Sequence, residues 1–316
     1  MTAVFVFYHS LLKSYPYFYI SNNYQFRLKD RLEYIIFFLF SYLFRLTGLK
    51  AARGFAYILA SVFYYLIPIR KKTVFENLDI AFPNISAIEK KKIAFGSYLS
   101  FAISLVEILY LPWMDENQMK SSVEIDNVEL INEKNKLGNG VILLSAHFGN
   151  WEYIAASTSL QVNKKFYIIV KNQRNKLVND WMNKMRTRWL NEVVPLGVSV
   201  RNIYSVLKNN GIAAMVADQR GPEEGLKLEF FGKKTAVYTG PAVLSLKTGA
   251  PIIFGIPIRQ KDYSYKATLV ELDKSNLPED EEGKVKVLTD RMIKYLEKII
   301  SEHPEQWLWM HRRWKH

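Results

Sequence analysis

His147 and Glu152 stand five positions apart in the stretch Leu143-Leu144-Ser145-Ala146-His147-Phe148-Gly149-Asn150-Trp151-Glu152. A histidine and a carboxylate that meet can work as a base and its orienting partner. The carboxylate fixes the imidazole tautomer and stabilises the imidazolium. On one continuous helix the two side chains would point about 140° apart. They meet only if a helix begins between them, at Gly149 or Asn150. The flanking residues support such a junction. Val141 to Leu144 reads as a buried strand, and Tyr153-Ile154-Ala155-Ala156 continues a helix. The carboxyl end of a strand is where open α/β sheets bind ligands. The first-turn N–H groups of the following helix would face a tetrahedral oxyanion.

Exclusions narrow the chemistry of this base. The chain contains no cysteine, which removes disulfides, thiolate nucleophiles and thiolate-bound zinc. Its five histidines form no spaced metallohydrolase pair. There is no Gly-x-Ser-x-Gly elbow, no phosphate loop and no dinucleotide fingerprint. What remains is direct transfer, in which His147 takes a proton from a hydroxyl that attacks an acyl thioester. General-base assistance of this kind is worth about 10²–10⁴-fold. No metal and no cofactor is expected, only an acyl thioester co-substrate. In isolation a His-x4-Glu pair is weak, so its neighbourhood matters.

Two polar segments share its sheet edge. Asp218-Gln219-Arg220 follows the apolar run Ile212–Ala217, and Lys171-Asn172-Gln173-Arg174-Asn175 follows 166–170. Arg186 and Arg188 lie on the next helix. A cationic rim suits phosphate groups; a solvated helix face is the alternative. The chain closes on Trp307-Leu308-Trp309-Met310-His311-Arg312-Arg313-Trp314-Lys315, read either as terminal packing or as part of a lipid-facing, anion-binding wall.

The elements that must position these residues show α/β texture. Strand-length apolar runs at 141–145, 166–170, 192–195, 212–217, 252–257 and 266–271 alternate with helical segments at 150–160, 175–190, 199–209, 239–249 and 283–302. This predicts a mostly parallel central sheet flanked by helices. Gly211 and Gly249 stand where helix C-caps belong.

Ahead of this domain, assigned to residues 113–316 with a linker or small substructure at 115–139, lies a helical region at 29–112. Its apolar stretches, Tyr34 to Phe44 and Phe55 to Ile67, are flanked by lysines and arginines, and each is shorter than the ~20 residues a spanning helix needs. They predict membrane-associated helices, interfacial or briefly spanning; docked amphipathic helices are the alternative. Ser86 and Glu89 form a capping-box signature for a helix running to about Leu111. Residues 1–28 form an unassigned extension.

Lys and Arg exceed Asp and Glu by 43 − 30 = 13 in 316 residues, a balance suited to nucleic acid, an anionic membrane or an acidic protein, with solubility alone as the plainer alternative. Nucleic acid is disfavoured, because the aromatics cluster with aliphatics rather than alternating with Lys and Arg.

Together these residues resemble the bacterial lipid A late acyltransferases, the lauroyl/myristoyl transferase family of the wider lysophospholipid acyltransferase group. The resemblance rests on Ala146-His147-Phe148-Gly149-Asn150-Trp151-Glu152, Ala217-Asp218-Gln219, Phe230-Phe231-Gly232, Thr239-Gly240-Pro241, Asn77-Leu78 with Ala81-Phe82-Pro83, and the block Pro304 to Lys315. It covers the chain from about residue 30 onward. It implies a glycerol-3-phosphate acyltransferase-like domain at the cytoplasmic face of the inner membrane. The implied reaction moves an acyl chain from acyl carrier protein, or acyl-CoA, to a lipid A precursor beside an anionic membrane surface. His147 and Glu152 fall on the family's base and orienting carboxylate. The family's basic residue after the next strand falls at Lys171, its Asn at Asn175 and its Arg-rich helix at Arg186 and Arg188; these, with Asn150, Asp218 and Gln219, are read as substrate-binding. Val170-Lys171-Asn172 departs from the family's usual Tyr-Arg/Lys-Pro, which touches substrate detail more than chemistry. The rivals are an enzyme acylating another glycolipid or an aminolipid, and a membrane lipid-binding homologue without catalysis; the intact His147/Glu152 pair argues against the last.

Overall fold

The computed structural model describes residues 27–196 and 199–315. The extension assigned to 1–28 lies, but for Arg27 and Leu28, outside the described residues. In chain order the helices are α1 (Leu28–Ser61), α2 (Lys71–Ala81), α3 (Ala87–Tyr110), α4 (Glu116–Lys120), α5 (Glu129–Asn135), α6 (Trp151–Val162), α7 (Lys176–Arg186), α8 (Ser199–Lys208), α9 (Gly240–Thr248) and α10 (Glu281–Glu302). The strands are β1 (Val123–Asp126), β2 (Val141–Ser145), β3 (Phe166–Val170), β4 (Asn191–Pro195), β5 (Ile212–Val216), β6 (Lys227–Phe230), β7 (Lys233–Ala236), β8 (Ile252–Phe254), β9 (Ile258–Arg259), β10 (Tyr265–Thr268) and β11 (Val270–Glu271).

The main sheet has the order β11-β8-β2-β5-β3-β4, parallel except for the β11 edge. Strand β2 lies inside it, and all five of its residues are buried. Side chains alternate across the pleat. Ile142 and Leu144 join the core containing Leu288, Met292 and Trp307, while Val141 and Leu143 pack with Ile131, Ala155 and Phe166 on the other face. Such a doubly covered strand carries no polar residue until it ends, so the chemistry sits at its carboxyl end.

The structure corrects several expectations. Of the two readings of 115–139 the substructure holds and the linker does not: the segment supplies α4, β1 and α5, and β1 pairs in parallel with β10. The apolar run 266–271 splits between two sheets, since β10 joins β1 while β11 pairs antiparallel with β8. A hairpin, β6–β7, went unrecognised because its strands are short and rich in lysine. The left-handed residue after α8 is Asn210 rather than Gly211, whereas Gly249 does cap α9.

The N-terminal region shares its core with the α/β part. Ala52, Ala56, Leu78, Tyr98 and Ala102 belong to one continuous cluster with Ile142, Leu144 and Trp307. The Ser86–Glu89 capping box forms and starts α3. This helix is long and apolar enough to cross a membrane, yet 61% of its apolar window is buried inside the protein. Helix α1 differs. Gly48, at φ 81°, breaks it. Phe40 and Phe55 would lie about 22 Å apart on a straight helix. Their ring centroids are 5.7 Å apart, so the two halves fold back on each other. Before the break, Leu32, Ile36, Leu39, Leu43 and Leu46 repeat every three or four residues and are all exposed. They form an outward apolar stripe.

Candidate active site

The junction after β2 is set by Gly149. Its φ of +49° is left-handed, and a Cβ there would stand 2.2 Å from the Pro257 carbonyl oxygen. The turn aims the His147 ring across to the end of the neighbouring strand. Register pairs Ser145 with Val216, so Asp218 lies beside His147. The His147 Nδ1 to Asp218 Oδ1 distance is 2.8 Å. The His147 backbone N–H donates to Asp218 Oδ2 at 3.1 Å, and the Trp307 indole N–H donates to the same oxygen at 2.9 Å. The carboxylate therefore fixes the ring with its Nδ1 proton toward Asp218, leaving Nε2 as the basic atom.

Electrostatics support that assignment. Burial would lower the His147 pKa, but the charge and hydrogen bond of Asp218, with the charge of Glu152, raise it above its ordinary value. Burial would raise the Asp218 carboxyl, but the charge and hydrogen bonds of His147, with the Trp307 bond, hold it at about 2. His147 keeps 18% of its side chain open to solvent, against 3% for Asp218, so the imidazole is reachable and the carboxylate is not.

Glu152 does not hydrogen-bond His147. Arg186 binds it as a fork along one guanidinium edge, Nε donating to Oε2 at 2.9 Å and Nη2 to Oε1 at 2.6 Å. This corrects the expected His147–Glu152 dyad: once Gly149 turns the chain, the first turn of α6 points Glu152 at the end of α7. Arg186, expected on substrate, is thereby neutralised. Arg188 is also occupied, donating to the Leu111 and Pro112 carbonyls at 3.0 and 2.8 Å.

The two asparagines read as substrate-binding are joints. Asn150 caps α6 by accepting from the Glu152 N–H at 3.2 Å, and its amide donates to Glu107 at 2.9 Å. Asn175 caps α7 and donates to the Asp30 carbonyl and to Glu33 on α1, at 2.9 and 3.0 Å. Lys171 is exposed at the end of β3. Gln219 reaches the ring, its Nε2 standing 3.4 Å from His147 Nε2. The first-turn N–H groups are mostly spoken for. The backbone donors of His147, Phe148, Gly149, Glu152 and Tyr153 already have acceptors among the described residues.

Sequence reasoning missed the support beneath this junction. Glu107 of α3 is fully buried and binds Arg53 of α1 at 2.7 Å, Asn150 at 2.9 Å and the Tyr265 hydroxyl at 2.6 Å. A buried carboxylate must be paired, so Glu107 ties α1, α3, α6 and β10 together. A lone glutamate inside the apolar run Phe101 to Tyr110 was the available signal. The C-terminal block forms the other wall. Phe148 bridges Trp307, Gly149 donates to the Gln306 carbonyl at 3.2 Å, and Leu308 donates to the His147 carbonyl at 3.1 Å. Trp307, Trp309 and Trp314 are core residues, so for them the packing reading holds.

The chain that carries this histidine–aspartate pair matches a known family along almost its whole length. The family model for bacterial lipid A biosynthesis acyltransferases matches residues 25–316. The chain belongs to that family. Among its relatives are the lipid A biosynthesis palmitoleoyltransferase and lauroyltransferase of Escherichia coli K12, each 24% identical over 78% of this chain and 79% of theirs. A phosphatidylinositol mannoside acyltransferase of Mycolicibacterium smegmatis is also 24% identical, over 69% of this chain and 71% of its own. This member of the lipid A acyltransferase family is thus an O-acyltransferase by kinship.

Proposed function

We propose that the chain transfers a fatty acyl group from acyl carrier protein, or acyl-CoA, to a hydroxyl of a lipid A precursor. The observation that carries this reading is the His147–Asp218 pair, which leaves Nε2 free of the ring proton at the open end of the sheet. The acceptor hydroxyl gives its proton to Nε2 while its oxygen attacks the thioester carbonyl. Collapse of the tetrahedral intermediate forms the ester, and the departing thiolate takes the proton from the imidazolium. No covalent acyl-enzyme is needed. Gln219 opposes Nε2 and must yield to the acceptor. Glu152, held by Arg186, adds negative charge that favours the imidazolium.

The parallel sheet and its strand-to-helix histidine support a glycerol-3-phosphate acyltransferase-like domain. The exposed α1 stripe supports attachment to the inner membrane, catalytic site toward the cytoplasm, and the positive surplus supports an anionic leaflet and an acidic carrier protein. The mannoside acyltransferase relative favours one second reading, another glycolipid as acceptor.

Two experiments test this. Purified full-length enzyme is assayed with defined acyl donors and lipid acceptors, and products are read by mass. Lipids of a deletion strain are compared with wild type; lipid A unchanged, with an acyl group missing from another lipid, would remove the lipid A reading.

A further inference from the structure

The cations expected on the acceptor's phosphate, Arg186 and Arg188, are consumed by Glu152 and by backbone carbonyls. Free cations gather elsewhere. A groove of about 690 Å³ opens between α2, the β6–β7 hairpin and the C-terminal segment, and Arg70, Lys72, Lys233, Arg312, Trp314 and Lys315 help to line it. Its two acids are answered by lysines, Glu76 by Lys72 and Asp79 by Lys90. Among the described residues, Arg70, Lys233, Arg312 and Lys315 have no carboxylate partner. Arg70 only donates to the Met310 carbonyl, at 3.3 Å.

Two features say what this groove faces. It adjoins the active site through His311, whose Nε2 accepts from the Arg220 N–H, two residues past Asp218. Arg312 is the next residue, and Arg220 itself donates to the Lys315 carbonyl at 2.9 Å. At the other end, Arg70 is preceded by the exposed apolar residues Tyr65, Leu66, Ile67 and Ile69. A basic concavity rimmed by exposed apolar side chains fits a headgroup at a lipid–water boundary. Its volume is that of a small-molecule site rather than a protein footprint.

We propose that this groove binds a phosphate-bearing headgroup of the lipid acceptor and orients its hydroxyl toward His147. The proposal rests on the acyl-transfer reading for its consequence but not for its binding step. Arg312 and Lys315 would meet the phosphate from the tail side and Lys233 from the hairpin, each a point of charge-assisted hydrogen bonding.

The test uses the full-length enzyme with Lys233→Glu and Arg312→Glu, both at exposed residues. Lys136→Glu, which follows α5 at the far end of β2, makes the same charge change as a control. With a phosphorylated glycolipid, the groove variants should raise KM about tenfold per variant and leave kcat within about twofold. With the same glycolipid dephosphorylated, variants and wild type should be alike. Inorganic pyrophosphate should compete with the phosphorylated acceptor in the wild type and not in the variants. An unchanged KM, an equal effect of Lys136→Glu, or an effect confined to the KM for acyl carrier protein overturns the proposal. So does pyrophosphate binding that leaves acceptor KM untouched, which would mark a site for free phosphate. Binding of the phosphorylated glycolipid to His147→Ala enzyme, with and without Lys233→Glu, reads the groove without turnover. Failure of the acyl-transfer reading would therefore be seen separately.

Discussion

Asp218 holds His147 at two points, taking the ring at one carboxylate oxygen, 2.8 Å away, and the backbone N–H at the other, 3.1 Å away. One carboxylate thus sets both the tautomer of His147 and the position of its backbone. Asp218→Asn keeps the shape and removes the charge. We expect kcat to fall about 10²–10⁴-fold. The base works only when neutral, and Asp218 raises its pKa, so wild-type activity is lost as pH falls through a value above the ordinary histidine 6.5. In Asp218→Asn that acidic limb moves to lower pH. A pH profile of kcat/KM checks both effects.

The same pair makes a stability statement. Asp218 sits at about 2 against an ordinary 3.8. A depressed carboxylate stabilises the fold above its unfolded pKa and loses that contribution as pH falls toward the folded one. Denaturant midpoints should therefore drop between about pH 4 and pH 2 more steeply in wild type than in Asp218→Asn.

Glu152 and Arg186 form a bidentate pair whose side chains are only 9% and 11% exposed. Breaking such a pair strands a charge. Arg186→Ala should cost about 3 kcal/mol of stability. The double change Glu152→Gln with Arg186→Gln should cost less, because it leaves no uncompensated charge. Thermal or urea unfolding of the three proteins gives the order; a double variant less stable than Arg186→Ala would contradict it.

Gly149→Ala places a Cβ against the Pro257 carbonyl at a φ of +49°. Strain of this sort costs about 1–3 kcal/mol before the clash is counted. Both a lower unfolding midpoint and a large loss of kcat should follow, since the turn aims His147.

Much of this was legible in the residues. The strand–turn–helix at 141–152 announced itself because a run of apolar residues ended abruptly at His147 and Gly149. The nearness of Asp218 to His147 was legible as a shared sheet edge, since both follow strand-length apolar runs. Their pairing was not, because periodicity does not say that β2 and β5 are neighbours in the order β8-β2-β5-β3. Glu152 looked like the partner because it was close in sequence. Closeness in sequence is a poor guide across a left-handed turn. The bend at Gly48 was hinted at by two separate apolar stretches, but that their aromatic rings pack against each other is a tertiary fact.

The outward stripe of α1 predicts where the enzyme resides. Ile36→Glu with Leu39→Glu changes two residues that are 55% and 59% exposed, so the core is untouched. Placing charge on the apolar side of an interfacial helix should move protein from the membrane to the soluble fraction. Flotation of cell lysates measures this; full retention in the membrane fraction would deny the stripe that role.

The most direct test is acyl transfer by His147→Ala, with Glu107→Gln as a comparison for indirect damage to the junction. Full-length enzyme, a defined acyl thioester and a glycolipid acceptor are incubated, and the acylated product is quantified by mass. Removing the base should lower kcat, counted per folded molecule, at least about 10²-fold, and the unfolding midpoint should fall as well because the buried Asp218 carboxylate loses its partner. A His147→Ala enzyme that folds and transfers at the wild-type rate would contradict the account.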